Sequence, residues 1–477
     1  MLEIPDVSSR IGQRDGGADR VPRRQRSRRP ALDWQRLAGV VMRGAGSDDI
    51  EAFLLHVQVT EARVGTTRDV AMHSRDTLGL GIRRVRGHRL GFTYTSDLRP
   101  EGVRDAVECA ARQAAIAEEE PFEQLPAPQP REPSEPRERP QPPDPSGLLS
   151  AADALQAMLR APARDTSAGR SALVGQRTVE MAVASSRGMA TSYAKADTWC
   201  SATAIVQDRG VARTGTGFAN APTLDELDIA AAAAEAVERV EARIGARPYG
   251  SGPRSTAVVF SSTALAQFIR ALQPILCADI VVDGRGIFAG RLGEAVASPA
   301  VSLRDDGTLP GAVGSVPIDD EGTPTRETLL VEHGTLVGML HNTRTASAWG
   351  IPSTGNGRRN GYRSVPLVRA HNLYLVPGTV STDELIMRMV DGLWIDEVSG
   401  TQTTVNPLSG HISIIASGAL VRAGSKEIPV TDVVISGDLR RLLDSVEAVG
   451  SELQLRPHGG AYGGAPTLVS DVRIRGR

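Results

Sequence analysis

The chain has 477 residues, 54 basic against 56 acidic side chains, and a hydrophobic share of 40%. That length predicts two or three domains of ~150 residues, and the near-balance of charge argues against a whole-protein footprint for DNA or an anionic membrane. The only lysines, Lys195 and Lys426, lie outside any Gly-Lys-Ser/Thr setting, which excludes a phosphate-binding P-loop.

Residues 1–31 contain the run RVPRRQRSRR from Arg20 to Arg29 and read as a disordered basic tail. No apolar signal core follows it, and no stretch of ~18 apolar residues occurs, so neither export nor a membrane span is expected. Cys109, Cys200 and Cys277 form no CxxC pair, which suits a reducing cytoplasm. From 32 to 120 the pattern is helix, strands, helix. Ala52–Val59, Val70–Ser74, Leu78–Arg84 and Leu90–Thr95 alternate as strands do. Val103, Ala106, Val107, Ala110, Ala111 and Ala114 recur at helical spacing, with Ser96 or Asp97 placed to cap.

Between Pro121 and Pro145 lie ten of the thirty prolines, and 121–146 reads as a linker or insertion that cannot pack as helix or sheet. The domain resumes over 147–250 with a helix at Gly147–Arg160 and strands within Thr178–Gly217. A further helix is expected from Thr223 to Arg243, where Thr223 and Glu226 suggest a capping box. A short strand, Thr256–Phe260, leads into a helix over Ser262–Gln273, and a capped helix is expected at Ser381–Val390. From Val301 onward the texture is strand, turn and Gly-rich loop, so the last part of the β-rich domain 251–477 reads as mainly antiparallel sheet. The fold class is therefore α+β: an N-terminal α/β domain with mixed sheet and helices, then a mainly antiparallel β domain.

Familiar catalytic patterns are missing. No histidine pair has HExxH spacing, although His333 and His341 flank a Gly334 turn. There is no GxSxG elbow and no true GxGxxG. Asp319, Asp320 and Glu321, in PIDDEGTP, have acid–base capacity if clustered, but read more simply as a polar turn.

The order of motifs after Asp305 is more informative: DDGTLPGAVGSVPIDDEGTPTRE, then STGNGRRNGYRS, then HNLYLVPGT, then VNPLSGHIS. In this order they resemble the TldD/PmbA family of bacterial peptidases, and LGLGIRRVRGHRLGFTYTSDL with the alanine-rich helix behind it is similar to that family's opening. The resemblance implies two kinds of member. The catalytic kind carries HExxxH on the helix after a short strand, with a late cysteine completing a zinc site. Here the aligned stretch is RALQPI, Arg270–Ile275, and Gly450–Gly476 contains no cysteine. Arginine has no lone pair to offer a metal.

The resemblance thus implies the PmbA (TldE) kind: a non-catalytic subunit, with no catalytic or metal residues of its own, of a two-subunit zinc metallopeptidase that degrades or matures peptides in the cytoplasm. Zinc is expected in the TldD-like partner, the substrate is a peptide, and neither nucleic acid nor membrane is involved. The alternative is a stand-alone peptide-binding or scaffolding protein in peptide natural-product processing. Candidate peptide-groove or partner contacts are Thr354, Asn356, Arg358 and Arg359 of the STGN loop, with Asn372 and Asn406. A structural reading as turn and cap residues competes at each.

Overall fold

The computed structural model describes residues 33–128, 140–159, 169–281, 284–406, 408–457 and 460–476. The basic tail, the centre of the proline-rich segment and His458 lie outside the described residues.

Six long strands open the structure: β1 (Asp49–Val64), β2 (Val70–Arg86), β3 (Arg89–Thr95), β4 (Gly169–Ser185), β5 (Ala190–Asp208) and β6 (Val211–Ala221). They form one sheet in the order β3-β2-β1-β4-β5-β6. Every pairing in it is antiparallel, where a mixed sheet was expected. The pair expected at Val70–Ser74 and Leu78–Arg84 is one strand, because Gly79 and Gly81 do not break it but admit Tyr362, its ring at Gly79 and its backbone carbonyl at Gly81. A Cβ on Gly79 would lie 2.3 Å from the Tyr362 ring.

Alternation along β1 assigns its two faces. Ile50, Ala52 and Leu54 pack with helices α1 (Trp34–Arg43) and α2 (Pro100–Ile116), while Phe53 packs with Ile318 and Tyr362 of the C-terminal half. Further along the sheet, α3 (Pro145–Met158) and α4 (Ile229–Glu241) bury a second apolar cluster against β4, β5 and β6. The scarcity of aromatics is met by close approach. Ala232 and Ala236 face Gly217 and Gly215, where a Cβ would meet helix carbonyl oxygens at 1.9 and 2.2 Å.

Two helix starts differ from expectation. Thr223 Oγ1 does bond Glu226 Oε1 at 2.8 Å, yet the helix begins at Ile229 under an Asp228 cap that accepts from Ala231 N. Asp97 binds Arg99 instead of capping α2, which starts on Pro100 with no side-chain cap. The proline-rich segment also packs at its start. Glu123 and Leu125 are buried, and the Leu125 carbonyl accepts from Arg187 Nη1. Proline-rich composition removes donors but does not forbid one leucine from entering a core.

The C-terminal half contains a seven-stranded sheet, ordered 446–449, 467–476, 254–260, 392–399, 411–422, 425–438, 247–248. A six-stranded sheet stands beside it, ordered 335–336, 327–332, 303–306, 372–375, 461–464, 454–457. Most pairs are antiparallel; the parallel ones join 254–260 to 392–399, 372–375 to 461–464, and 247–248 to 425–438. Helix α5 (Ser262–Leu272) buries Leu265, Phe268, Ile269 and Leu272 in the largest core cluster. The chain is α+β, with a mostly sheet C-terminal region. No helix of the described residues is long and apolar enough to cross a membrane.

Candidate functional site

Ser261 starts α5 by accepting from Ala264 N at 3.2 Å, and the segment Gln273–Leu276 then tightens into a 3-10 turn around Pro274. Of the aligned positions, Ala271 is buried, and Ile275 sits in that turn, 1% exposed, rather than on the helix. Gln273 Oε1 accepts from the Tyr462 hydroxyl at 2.5 Å and from Ala370 N at 3.3 Å. Arg270 is half-buried, and its side chain has neither hydrogen bond nor ion pair among the described residues.

Beside this helix end lies a buried polar knot centred on Asp305. Its Oδ1 accepts from the backbone N–H groups of His371 and Asn372, both at 2.8 Å, and its Oδ2 accepts from Asn356 Nδ2 at 2.7 Å. Burial nevertheless pushes the carboxyl up to about 6. Asn356 also donates to the Arg369 carbonyl at 2.9 Å, and Thr354 Oγ1 accepts from His341 N at 2.7 Å. Asn372 donates to Ser315 Oγ at 2.9 Å and accepts from Gly314 N at 3.0 Å. Thr354, Asn356 and Asn372 are all buried, so their polar atoms are spent inside the chain.

The two arginines of the STGN loop diverge. Arg359 is buried, stacks 4.4 Å over the Phe53 ring and pairs with Glu51 of β1. Arg83 of β2 grips the same carboxylate at 3.0 and 2.6 Å and reaches Glu321 Oε1 at 3.0 Å, forming a latch between the halves. Glu51 is held below the ordinary carboxylate range by these guanidiniums against the opposing effect of its burial. Arg358 instead bonds the His371 ring, Nη1 to Nδ1 at 3.1 Å. His371 Nε2 faces the Gly355 carbonyl at 2.7 Å, so Nε2 bears the proton and Nδ1 accepts from Arg358. Burial, assisted by Arg358, pushes this imidazole down to about 3, so it is neutral.

Asn406 stays apart from the other candidates. Its Oδ1 accepts from Leu408 N and Ser409 N at 2.9 and 3.1 Å, closing its own turn. The carboxylates of PIDDEGTP are structural as well. Asp319 accepts from Glu321, Thr323 and Gly357 backbone N–H groups, and Glu321 Oε2 accepts from Thr343 N and Oγ1, both at 2.8 Å. His333 occupies a turn with φ of 46°, while His341 is buried edge-on to Trp349 and pushed down to about 4 by that burial. Burial raises the thiols of Cys200, to about 11, and Cys277, which leaves them protonated. Among the described residues no group of three His, Cys, Asp or Glu side chains is placed to hold a metal ion.

Sequence reasoning missed Glu51, Arg83, Gln273 and Tyr462. A charged residue on a strand interior is silent until register pairs Glu51 with Arg83 across β1 and β2. A separate cleft of about 1250 Å³ lies between α4 and the seven-stranded sheet, at the opposite, Ser261 end of α5. Its walls are tied by Arg243 to Asp396 and Glu397, and by Arg456 to Glu235.

Models of the PmbA/TldA metallopeptidase domain 1, central domain and C-terminal domain match residues 69–114, 138–244 and 253–476. The chain belongs to the PmbA/TldD metallopeptidase family. A metalloprotease of Methanothermobacter thermautotrophicus is 37% identical over 179 residues, covering 37% of this chain and 38% of that protein. One of Archaeoglobus fulgidus is 34% identical over 239 residues, covering 50% and 54%. The matches thus span about a third to a half of these curated relatives' length. Among solved structures, a Thermotoga maritima protein described as a candidate modulator of a DNA gyrase aligns with a TM-score of 0.81 and 25% identity, over 92% of this chain and 99% of that one. TldE of Thermococcus kodakarensis aligns at 0.79 and 22% identity, over 93% and 100%, a likeness of fold.

Proposed function

We propose that this chain is the metal-free subunit of a two-chain zinc peptidase, acting on peptides in the cytoplasm beside a TldD-like partner that supplies the zinc. The observation that carries the reading is the end of α5. Where the catalytic kind places HExxxH, this chain has Arg270, a buried Ala271, and Ile275 packed in a 3-10 turn after Pro274. A metal site needs lone-pair donors held in tight geometry, and neither requirement is met there. The sheet-rich architecture supports a role in holding an extended peptide through backbone groups, a mode that asks little of side chains. Co-expression with an HExxxH-bearing relative should give a mixed complex that cleaves unstructured peptides, with little turnover by either chain alone. Full activity of the relative by itself, unchanged on adding this chain, contradicts the proposal.

A further inference from the structure

We propose that residues 117–125, from the end of α2 into the proline-rich segment, form a strap across the domain latch that Glu123 fastens as a neutral acid and releases as a carboxylate. The strap's backbone is tied at two places. At the β2–β3 turn, Arg89 Nη1 donates to the Ala117 carbonyl, Glu120 N to the His88 carbonyl at 3.0 Å, and His88 Nδ1 to the Glu123 carbonyl at 3.1 Å. At the β4–β5 turn, Arg187 donates to the Leu125 carbonyl. These turns share the end of the sheet where β1 begins, and β1 and β2 lie between them. The strap therefore crosses the strand ends that carry Glu51 and Arg83.

Leu125 is fully buried and Glu123 is 6% exposed. The Glu123 carboxyl nonetheless makes neither hydrogen bond nor ion pair among the described residues. The charged groups around it are Arg83 of β2, Glu51 of β1, Glu321 of the PIDDEGTP turn and Arg344 of the helix Thr343–Trp349. Arg83 already donates to Glu51 and Glu321, and Arg359 to Glu51, so the latch charges balance without Glu123. A buried carboxyl with no partner is costly as an ion and far less so as an acid. Burial accordingly raises the pKa of Glu123, against the pull of Arg83. The closed strap thus holds a proton that the released one has lost, so closure is favoured at low pH and weakens as pH rises through the raised value.

The two halves of the six-stranded sheet each run helix, three strands, helix, and the segment after α4 corresponds to the strap after α2. It is fastened the opposite way. Gly245 N donates to Asp208 Oδ2 at 2.8 Å, Arg213 Nη2 donates to the Ala246 carbonyl at 2.6 Å, residues 247–248 pair with the strand 425–438, and Tyr249 is buried. The Gly245 N–H holds the Asp208 carboxylate below the ordinary range, so this tie weakens only as pH falls below that range.

The test is hydrogen exchange of the full chain, read by mass spectrometry from about pH 5 to pH 8, each rate divided by the intrinsic chemical rate at that pH. Protection of the Glu120 and Glu123 amides should fall with pH, by up to about tenfold per unit, while that of 242–249 holds. Glu123→Gln, neutral throughout, should keep the strap protected at every pH; Glu123→Leu serves if the glutamine variant does not fold. Flat protection in the wild type overturns the proposal. So does a fall that persists in the neutral variant, which assigns it to His88, or one shared equally by 242–249, which is general loosening.

Discussion

The domain latch and the end of α5 are built from the same residue types to opposite effect. In the latch, Glu51, Arg83, Arg359 and Glu321 satisfy one another in the interior, and nothing is left over for a ligand. At the end of α5, the Arg270 side chain makes no hydrogen bond or ion pair among the described residues, and the Arg358 guanidinium bonds the neutral His371 ring. Saturated polar groups fix geometry, whereas side chains without such partners do not. That contrast divides the STGN loop between two adjacent residues: Arg359 holds the halves together and Arg358 does not.

The largest expected effect lies in the latch. Arg83→Ala leaves the buried Glu321 carboxylate without its cation and Glu51 with Arg359 alone, and should cost about 3–5 kcal/mol, read as a fall in the denaturant midpoint; Arg270→Ala should change that midpoint little. Equal losses for the two would break the contrast. Leu125→Ala, in the packed start of the proline-rich segment, should cost about 2–4 kcal/mol by the same measurement. Asn372→Ala abandons the Gly314 N–H and should cost about 1–3 kcal/mol, with no change in peptide affinity if its polar atoms are wholly internal.

A smaller, pH-dependent effect belongs to Asp305. Its folded value of about 6 lies above the ordinary carboxylate value, so between these the native state holds a proton that the unfolded chain has lost. Stability from this residue is therefore present at low pH and is lost as pH rises through about 6. The stability of wild type relative to Asp305→Asn should grow as pH falls from 7 towards 5, measured by denaturation across that range. Glu51 acts with the opposite sign, its contribution being lost only as pH falls below the usual carboxylate range. Asn406→Ala should be the mildest change, about 1 kcal/mol or less, because an exposed turn N–H can turn to water.

Much of the architecture was legible because it rests on local patterns. The apolar stripe of α5 and the Ser381 cap of the helix Thr382–Met389 are set by neighbours within a few residues. The misreadings came from competing local caps and from contacts distant in sequence. Thr223 and Glu226 do bond, but Asp228 provides the cap. Val70–Ser74 and Leu78–Arg84 were read as two strands, whereas they are one, with Gly79 making room for the ring of Tyr362. At the site, the motifs marked where the chain folds back on itself, and sequence could not separate Arg358 from Arg359. Only the register of β1 with β2 places Glu51 and Arg83 beneath the second of them.

The central claim is that this chain supplies structure and peptide contacts while its partner supplies the metal. Metal content measured by mass spectrometry on the purified chain, and on the complex co-purified with an HExxxH-bearing relative, tests it most directly. The account predicts no stoichiometric zinc on the chain alone and about one zinc per mixed pair. That metal should be lost when the relative's motif is substituted and kept when Arg270 or Ile275 is. Stoichiometric zinc on this chain alone, with peptide cleavage, would contradict it.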